Sequence, residues 1–264
     1  MTEGSHFKQH LAEKLSGRLQ ARSSVLAAWE GGSAANGTSD QYSDLDFNVL
    51  ISGDVDAAFQ VVEETLRDTA EITHIWHEPK SLWPDLTQKV YFLRDSPKHF
   101  FVDVTAFPES KPSILDEFMQ TERHGTPVVF FDRTGRIRGC PIDKSALLQK
   151  QRARLREIVA AFPVYRTEVF KELDRGNSID AFAFYQAGML RPLIEVMGMI
   201  FRPHRFDFGL RYLKRSLPDD KYKTIEQFFF IERPSSLRSR AIAVDELFCE
   251  MLAEARRLTG SPSE

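Results

Sequence analysis

Apolar residues recur at two different periods along this chain, and the change between them divides it. Phe7, Leu11, Leu15 and Leu19 stand four apart within the stretch from His6 to Arg22, one face of an amphipathic helix. Val25 to Trp29 is a short apolar run that stops at Glu30-Gly31-Gly32-Ser33, a strand entering a glycine turn, and Ala34 to Ser43 reads as a small polar loop. Leu45, Phe47, Val49 and Ile51 then alternate with Asp44, Asp46, Asn48 and Leu50, the period of a strand whose carboxylates share one face. A helix capped by Asp54 follows to Arg67. Ile72 to Trp76, Thr87 to Leu93 and His99 to Ala106 read as strands separated by turns at Pro79, Pro84 and Pro97, which gives a mixed sheet of about five strands. Val128 to Phe131 adds one more short strand before a turn at Asp132 to Gly135.

From about Asp143 the pattern becomes helical. Ala146 to Leu173 and Ser178 to Phe201 are long periodic stretches, Pro203, Gly209 and Pro218 punctuate shorter ones, and a last helix runs from about Ser236 to Leu258. Strands in one block and helices in the next predict an α+β class: an N-terminal domain with a mixed β-sheet and flanking helices over residues 1–140, then a C-terminal helical domain over 141–264. No internal repeat or low-complexity tract interrupts this order.

Composition narrows the class without naming a substrate. With 42% hydrophobic and 28% charged residues the chain has the balance of a globular protein able to bury a core. Its longest apolar clusters, Val128 to Phe131 and Phe228 to Ile231, are far short of the roughly 20 residues that span a bilayer. The N-terminus has no apolar signal core, so a cytoplasmic location is expected and no membrane partner. Cys140 and Cys249 form neither a CxxC motif nor a disulfide framework. A formal net charge of −3 gives no general attraction to a nucleic-acid backbone, so nucleic acid is not the expected partner and any polyanion must meet a local basic cluster.

The candidate chemistry is concentrated in the first half. Two aspartates at i and i+2 of one strand project to the same side, so Asp44 and Asp46 can share hard divalent cations while Leu45 points into the core. Asp103 lies inside a later strand where Phe101, Asp103 and Thr105 face one way and Val102 and Val104 the other, which makes it a third acid for the same site. Its alternative is an aspartate paired with Lys89 or Arg94. Gly32 lets backbone amides approach phosphate oxygens, and the Ser33 hydroxyl adds a donor.

The run from Gly32-Ser33 through ten residues to Asp44-Leu45-Asp46, ending Tyr-Ser-Asp-Leu-Asp and followed by Val-Asp-Val around Asp103, resembles the nucleotidyltransferase superfamily typified by DNA polymerase β, and within it the aminoglycoside and lincosamide nucleotidyltransferases. The likeness covers residues 24 to 107, and beyond them it is one of layout. It implies that Asp44, Asp46 and Asp103 are catalytic metal ligands for two Mg²⁺ ions, that Asp103 doubles as candidate base, and that Gly32 and Ser33 bind the nucleotide. It also implies a nucleoside triphosphate, ATP by analogy, as co-substrate, and a small-molecule hydroxyl, such as that of an aminoglycoside- or lincosamide-like antibiotic, as acceptor of the nucleoside monophosphate. Some aminoglycoside adenylyltransferases carry glutamate where this chain has Asp103, one methylene longer, so the acceptor position can differ. Nucleotidylation of a protein or RNA, and a non-catalytic nucleotide-binding module, are the rival readings. Acceptor, nucleobase and oligomeric state are not legible in the sequence.

Three further features carry less weight. The glycines of Arg133-Thr134-Gly135-Arg136-Ile137-Arg138-Gly139 read as a hairpin turn rather than a second phosphate loop. His74-Ile75-Trp76-His77 lacks the spacing of a helical zinc pair. The stretch from Arg191 to Arg215, with Arg202, Arg205, Arg211 and Lys214 among aromatic residues, is the best basic patch, and both a segment closing over the triphosphate and a solvated helix face fit it. For a polycationic acceptor, Glu78, Asp85, Glu172, Asp174 and Glu195 are the available acids.

Overall fold

The computed structural model describes residues 3–79 and 85–261 and divides the chain into two compact units, Met1–Ile142 and Asp143–Glu264. The turn expected at Pro84 lies outside the described residues.

The first unit runs α1 (Glu3–Gln20), β1 (Val25–Glu30), α2 (Gly32–Ala35), β2 (Leu45–Ile51), α3 (Val55–Arg67), β3 (Ile72–His77), β4 (Thr87–Leu93), β5 (Val102–Pro108), α4 (Pro112–Phe118), α5 (Thr121–His124) and β6 (Val128–Asp132). Its six strands form one sheet in the order β3-β4-β5-β2-β1-β6, in which β2 and β5 run parallel and the other neighbours antiparallel. The mixed sheet with flanking helices is the expected one.

Alternation on β2 and β5 assigns the two faces. Leu45, Phe47, Val49, Val102 and Val104 are buried together with Leu11, Leu15 and Leu19 of α1 and Phe59, Val62 and Leu66 of α3, so both helices lie on this side. Each of these side chains contributes roughly 1.5 to 3 kcal/mol by leaving water. Asp54 caps α3, its carboxylate accepting from the amides of Asp56 and Ala57. On the opposite face a smaller cluster of Leu50, Phe107, Trp29, Leu115 and Met119 seats α4 over one end of β2 and β5. The other end carries Asp46, Asn48, Asp103 and Thr105, all only partly buried. That face is therefore closed at one end and open at the other.

Several local expectations are corrected. The polar loop after Ser33 begins with a helical turn, α2, because Ala35 and Asn36 donate back to the carbonyls of Gly31 and Gly32. The last central strand starts at Val102 rather than His99, whose φ of +67° breaks the extended run. Among the described residues no strand returns after β6. Instead the Asp132 carboxylate accepts from the amides of Thr134, Gly135 and Ile137 and from the Thr134 hydroxyl, so these amides face a carboxylate of the chain and no hairpin forms. The helices α4 and α5 go beyond the expected elements, their periodicity being too short to register.

The second unit is helical: α6 (Lys144–Arg175), α7 (Ser178–Phe184), a π-helical turn at Tyr185–Leu190, α8 (Arg191–Phe201), α9 (Leu213–Ser216), α10 (Asp219–Phe229) and α11 (Leu237–Thr259). The π turn ends two residues before Pro192, whose missing amide breaks the regular ladder. Gly188 in that turn is crossed by Tyr165 of α6, and a Cβ there would meet the ring at 2.1 Å. Phe162 and Phe248 stack at 3.6 Å between α6 and α11, and the buried Tyr185 hydroxyl donates to the Phe228 carbonyl at 2.9 Å. Among the described residues no helix is long and apolar enough to cross a membrane.

Candidate active site

The three aspartates come together at the open end of the sheet. Asp46 and Asp103 are direct partners across the parallel pair β2 and β5, so their side chains leave the same face from adjacent strands about 4.8 Å apart. Asp44 precedes β2 and is delivered by a tied loop. The Asp40 carboxylate accepts from the Tyr42 amide at 3.0 Å and the Ser43 hydroxyl at 3.1 Å, and the Leu45 amide donates to the Phe101 carbonyl at 3.1 Å.

Gly32 meets this row from β1. The Gly31 amide donates to the Asp46 carbonyl at 2.9 Å, which draws the turn onto β2. Gly32 has a φ of +53°, and a Cβ at that position would lie 1.7 Å from Asp46 Oδ2. Glycine is thus required twice over, by conformation and by space. Ser33 follows in α2 with its hydroxyl 3.2 Å from that of Ser39.

The electrostatics are unfavourable to three ionised carboxylates. Burial pushes the Asp46 carboxyl up to about 7, and the charges of Asp44 and Asp103 push the same way. Lys8 opposes this shift and Glu30 adds to it. Among the described residues no three His, Cys, Asp or Glu side chains are gathered tightly enough to enclose a metal ion as they stand. The donor set nevertheless suits a hard divalent cation: all-oxygen ligands on one face, with an excess of negative charge that a cation offsets.

Lys89 and Arg94, the cations considered as partners of Asp103, pair instead with Glu63 at 3.3 Å and with Glu71 at 2.7 Å. Gln88 of β4 is the neighbour the sequence reading missed. Its Nε2 donates to both Asp103 oxygens, at 2.8 and 2.7 Å. The alternation Gln88, Val90, Phe92 could have shown it, since Val90 is the register partner of Asp103.

The same face continues outward as an aromatic shelf. Trp76 of β3 pairs with Val90, which pairs with Asp103, so Trp76 stands two strand spacings, about 10 Å, from the aspartate row. Phe92 lies 5.8 Å from Phe101 and 5.9 Å from His74 by ring centroids, and Trp76 and Phe92 are 43% and 40% exposed. His74 and His77 sit on this exposed edge strand.

In the second unit the basic patch is not uniform. Arg202 is buried and donates to the carbonyls of Arg211 and Gly209, so it holds the loop after α8 together. Burial also keeps its guanidinium below the usual arginine range. Arg191, Lys214 and Arg215 are exposed. Of the acids considered for a cationic acceptor, Asp85 pairs with Lys111, Glu172 with Arg175, Asp174 with Arg238 and Glu195 with Arg154.

Residues 12–117 match the family model described as a nucleotidyltransferase domain. No curated protein matches the chain. Among solved structures, similarity is found to an aminoglycoside 6-adenyltransferase from Bacillus subtilis, with 11% identity and a TM-score of 0.40 over 97% of this chain and 93% of that one. A nucleotidyltransferase-like protein from Exiguobacterium sibiricum shows 13% identity and a TM-score of 0.39 over 96% and 78%. A spectinomycin adenyltransferase from Enterococcus faecialis, solved with ATP and spectinomycin, shows 10% identity and a TM-score of 0.36 over 96% and 99%. Likenesses this distant carry no conclusion about substrate. The family match spans α3, all of β1 to β5 and every aspartate of the row, so the likeness to a nucleotidyltransferase domain lies in the first unit and takes in the whole candidate site.

Proposed function

We propose that this enzyme transfers a nucleoside monophosphate, AMP from ATP, to a hydroxyl of a small molecule in a Mg²⁺-dependent reaction. The observation that carries the reading is the direct pairing of Asp46 with Asp103 on the open face, with Gly32 seated against Asp46. Asp44, Asp46 and Asp103 would hold two Mg²⁺ ions, which when bound neutralise charge on the triphosphate and favour departure of pyrophosphate. The Gly32-Ser33 turn offers its amides and the Ser33 hydroxyl to the phosphates. The acceptor oxygen forms its bond to the α-phosphorus as the bond to the pyrophosphate oxygen breaks, and Asp103 takes the hydroxyl proton. Gln88, donating to both oxygens of Asp103, fixes the direction from which that proton is taken.

The acceptor we favour presents a ring or apolar face. The shelf of Trp76, Phe92 and Phe101 runs from Asp103 across about 10 Å, the width of two fused or linked rings, and stacking on such residues needs no formal charge.

The test is incubation with Mg²⁺, each α-labelled nucleoside triphosphate and a panel of lincosamides and aminoglycosides, beside Asp46→Asn. A labelled acceptor from the wild type alone supports the reading. It fails if no acceptor is labelled and calorimetry detects no Mg²⁺-dependent nucleotide binding by the wild type.

A further inference from the structure

Behind the aspartate row lies a charge pair for which neither fold nor proposed chemistry gives a reason. Lys8 of α1 and Glu30 at the end of β1 meet at 2.6 Å, Nζ to Oε1, with side chains only 12% and 11% exposed. Neither atom makes an aligned hydrogen bond among the described residues, so the contact is ionic rather than directional. A pair of this kind is a poor stabiliser, because desolvating two charges costs as much as their attraction returns, and two apolar residues of similar volume would serve the core at least as well. Lys8 falls on the same helical stripe as Leu11, Leu15 and Leu19, all fully buried, where an apolar side chain is the ordinary choice.

Its position supplies the reason. Glu30 is the register partner of Phe47, the residue after Asp46, and the next amide, that of Gly31, donates to the Asp46 carbonyl. The pair thus sits about one strand spacing from Asp46, on the helix-covered side of the sheet. Both charges are felt at Asp46, with opposite sign. Lys8 also lies outside residues 12–117, the stretch matched by the family model.

We propose that the Lys8–Glu30 pair sets the charge of the cation site from behind: Lys8 limits, and Glu30 raises, the attraction of the aspartate row for divalent metal, and their contact holds the two contributions in balance. The inference rests on the reading of Asp44, Asp46 and Asp103 as metal ligands. Lys8 and Glu30 touch no metal, nucleotide or acceptor in this scheme and act as positioning residues through the field they place at Asp46. Removing Lys8 leaves Glu30 uncompensated and strengthens cation binding; removing Glu30 leaves Lys8 and weakens it. A unit charge at this range in a partly screened site changes affinity by about three- to tenfold.

The experiment measures Mn²⁺ binding to the full chain by electron paramagnetic resonance, without nucleotide, for wild type, Lys8→Met, Glu30→Gln, the Lys8→Met/Glu30→Gln double variant and Lys8→Arg. The expected result is tighter binding for Lys8→Met, weaker for Glu30→Gln, and values near wild type for the double variant and Lys8→Arg. A purely structural role lowers binding in both single variants, and that outcome, or affinities unchanged throughout, overturns the inference. Should Lys8→Met not fold, Glu30→Gln against the double variant decides the same question, since the inference requires the second substitution to restore binding lost by the first. Absence of saturable Mn²⁺ binding by the wild type fails the metal reading itself, and is distinct from a wild type that binds while its variants bind equally.

Discussion

Asp46→Asn is expected to stabilise the cation-free protein while removing its activity. Burial together with Asp44 and Asp103 raises the Asp46 carboxyl from its ordinary 3.8 to about 7. Because the folded state holds this proton more tightly than the unfolded chain, the contribution is fully favourable below pH 3.8 and is lost progressively as the pH rises to about 7. At about 1.4 kcal/mol per pH unit the ceiling on the penalty above neutrality is about 4 kcal/mol. Solvent screening at this half-buried site and small movements of the neighbouring carboxylates reduce it, and we expect about 1 to 2 kcal/mol. That corresponds to a gain of roughly 3 to 6 °C in unfolding temperature for a unit of this size. The assay is thermal unfolding in EDTA at pH 8 and pH 4, followed by the same scans with excess Mg²⁺. The substituted amide cannot ionise, so the advantage of the variant should be present at pH 8, absent at pH 4, and reversed by Mg²⁺, which stabilises only the wild type. A variant that melts at or below wild type in EDTA at pH 8, or gains equally at both pH values, refutes the reasoning.

Three further substitutions probe other parts of the same architecture. Gly32→Ala places a Cβ 1.7 Å from Asp46 Oδ2 in a backbone of positive φ, and should lower unfolding free energy by about 1 to 3 kcal/mol and transferase turnover by about 100-fold, read by urea titration and initial rates. Asp132→Ala strips the acceptor from three amides and a hydroxyl and should cost about 2 kcal/mol at pH 7. Burial pushes the Asp132 carboxyl upward, but those donors outweigh it and hold it below 3.8, so the deficit persists above that pH and closes as acid titrates the wild type, which denaturant midpoints at pH 7 and below pH 3 will show. Trp76→Ala should raise the KM for a ring-faced acceptor about tenfold with the KM for ATP unchanged; equal loss for both substrates would count against the shelf.

The sheet was legible because its strands obey one rule without exception at the positions that matter. Leu45, Phe47 and Val49 are buried on one face and Asp46 and Asn48 are partly open on the other, and alternation alone assigns both sets. The same rule placed Asp103 beside Thr105 and opposite Val102 and Val104, and the register then made it the partner of Asp46. Short helices escaped because α4 and α5 span only seven and four residues, too few for a 3.6-residue period to declare itself. The turn after β6 was misread because glycine and basic residues suggest a hairpin, whereas the side chain of Asp132 satisfies the amides that a returning strand would have used. Arg202 read as one cation of the basic stretch, whereas its two terminal nitrogens donate to loop carbonyls, something composition cannot reveal. Lys8 was the clearest missed signal, a charge on the stripe of Leu11, Leu15 and Leu19.

The two faces of the sheet explain why an arrangement so costly to its own carboxylates can persist. Asp46 stands between Leu45 and Phe47, both fully buried, and across from Asp103, which stands between the fully buried Val102 and Val104. Four apolar anchors, at roughly 1.5 to 3 kcal/mol each, outweigh the few kcal/mol lost in bringing the acids together. The anchors also fix direction: neither strand can rotate its carboxylate away without pulling a core side chain into water, and slipping by one residue would exchange the faces outright. Repulsion among Asp44, Asp46 and Asp103 is therefore held in the folded state instead of being relieved by movement, and a divalent cation is the natural means of discharging it. The core behind the sheet is in this sense part of the site, since it maintains the charge density that a bound cation and the phosphates it carries would neutralise.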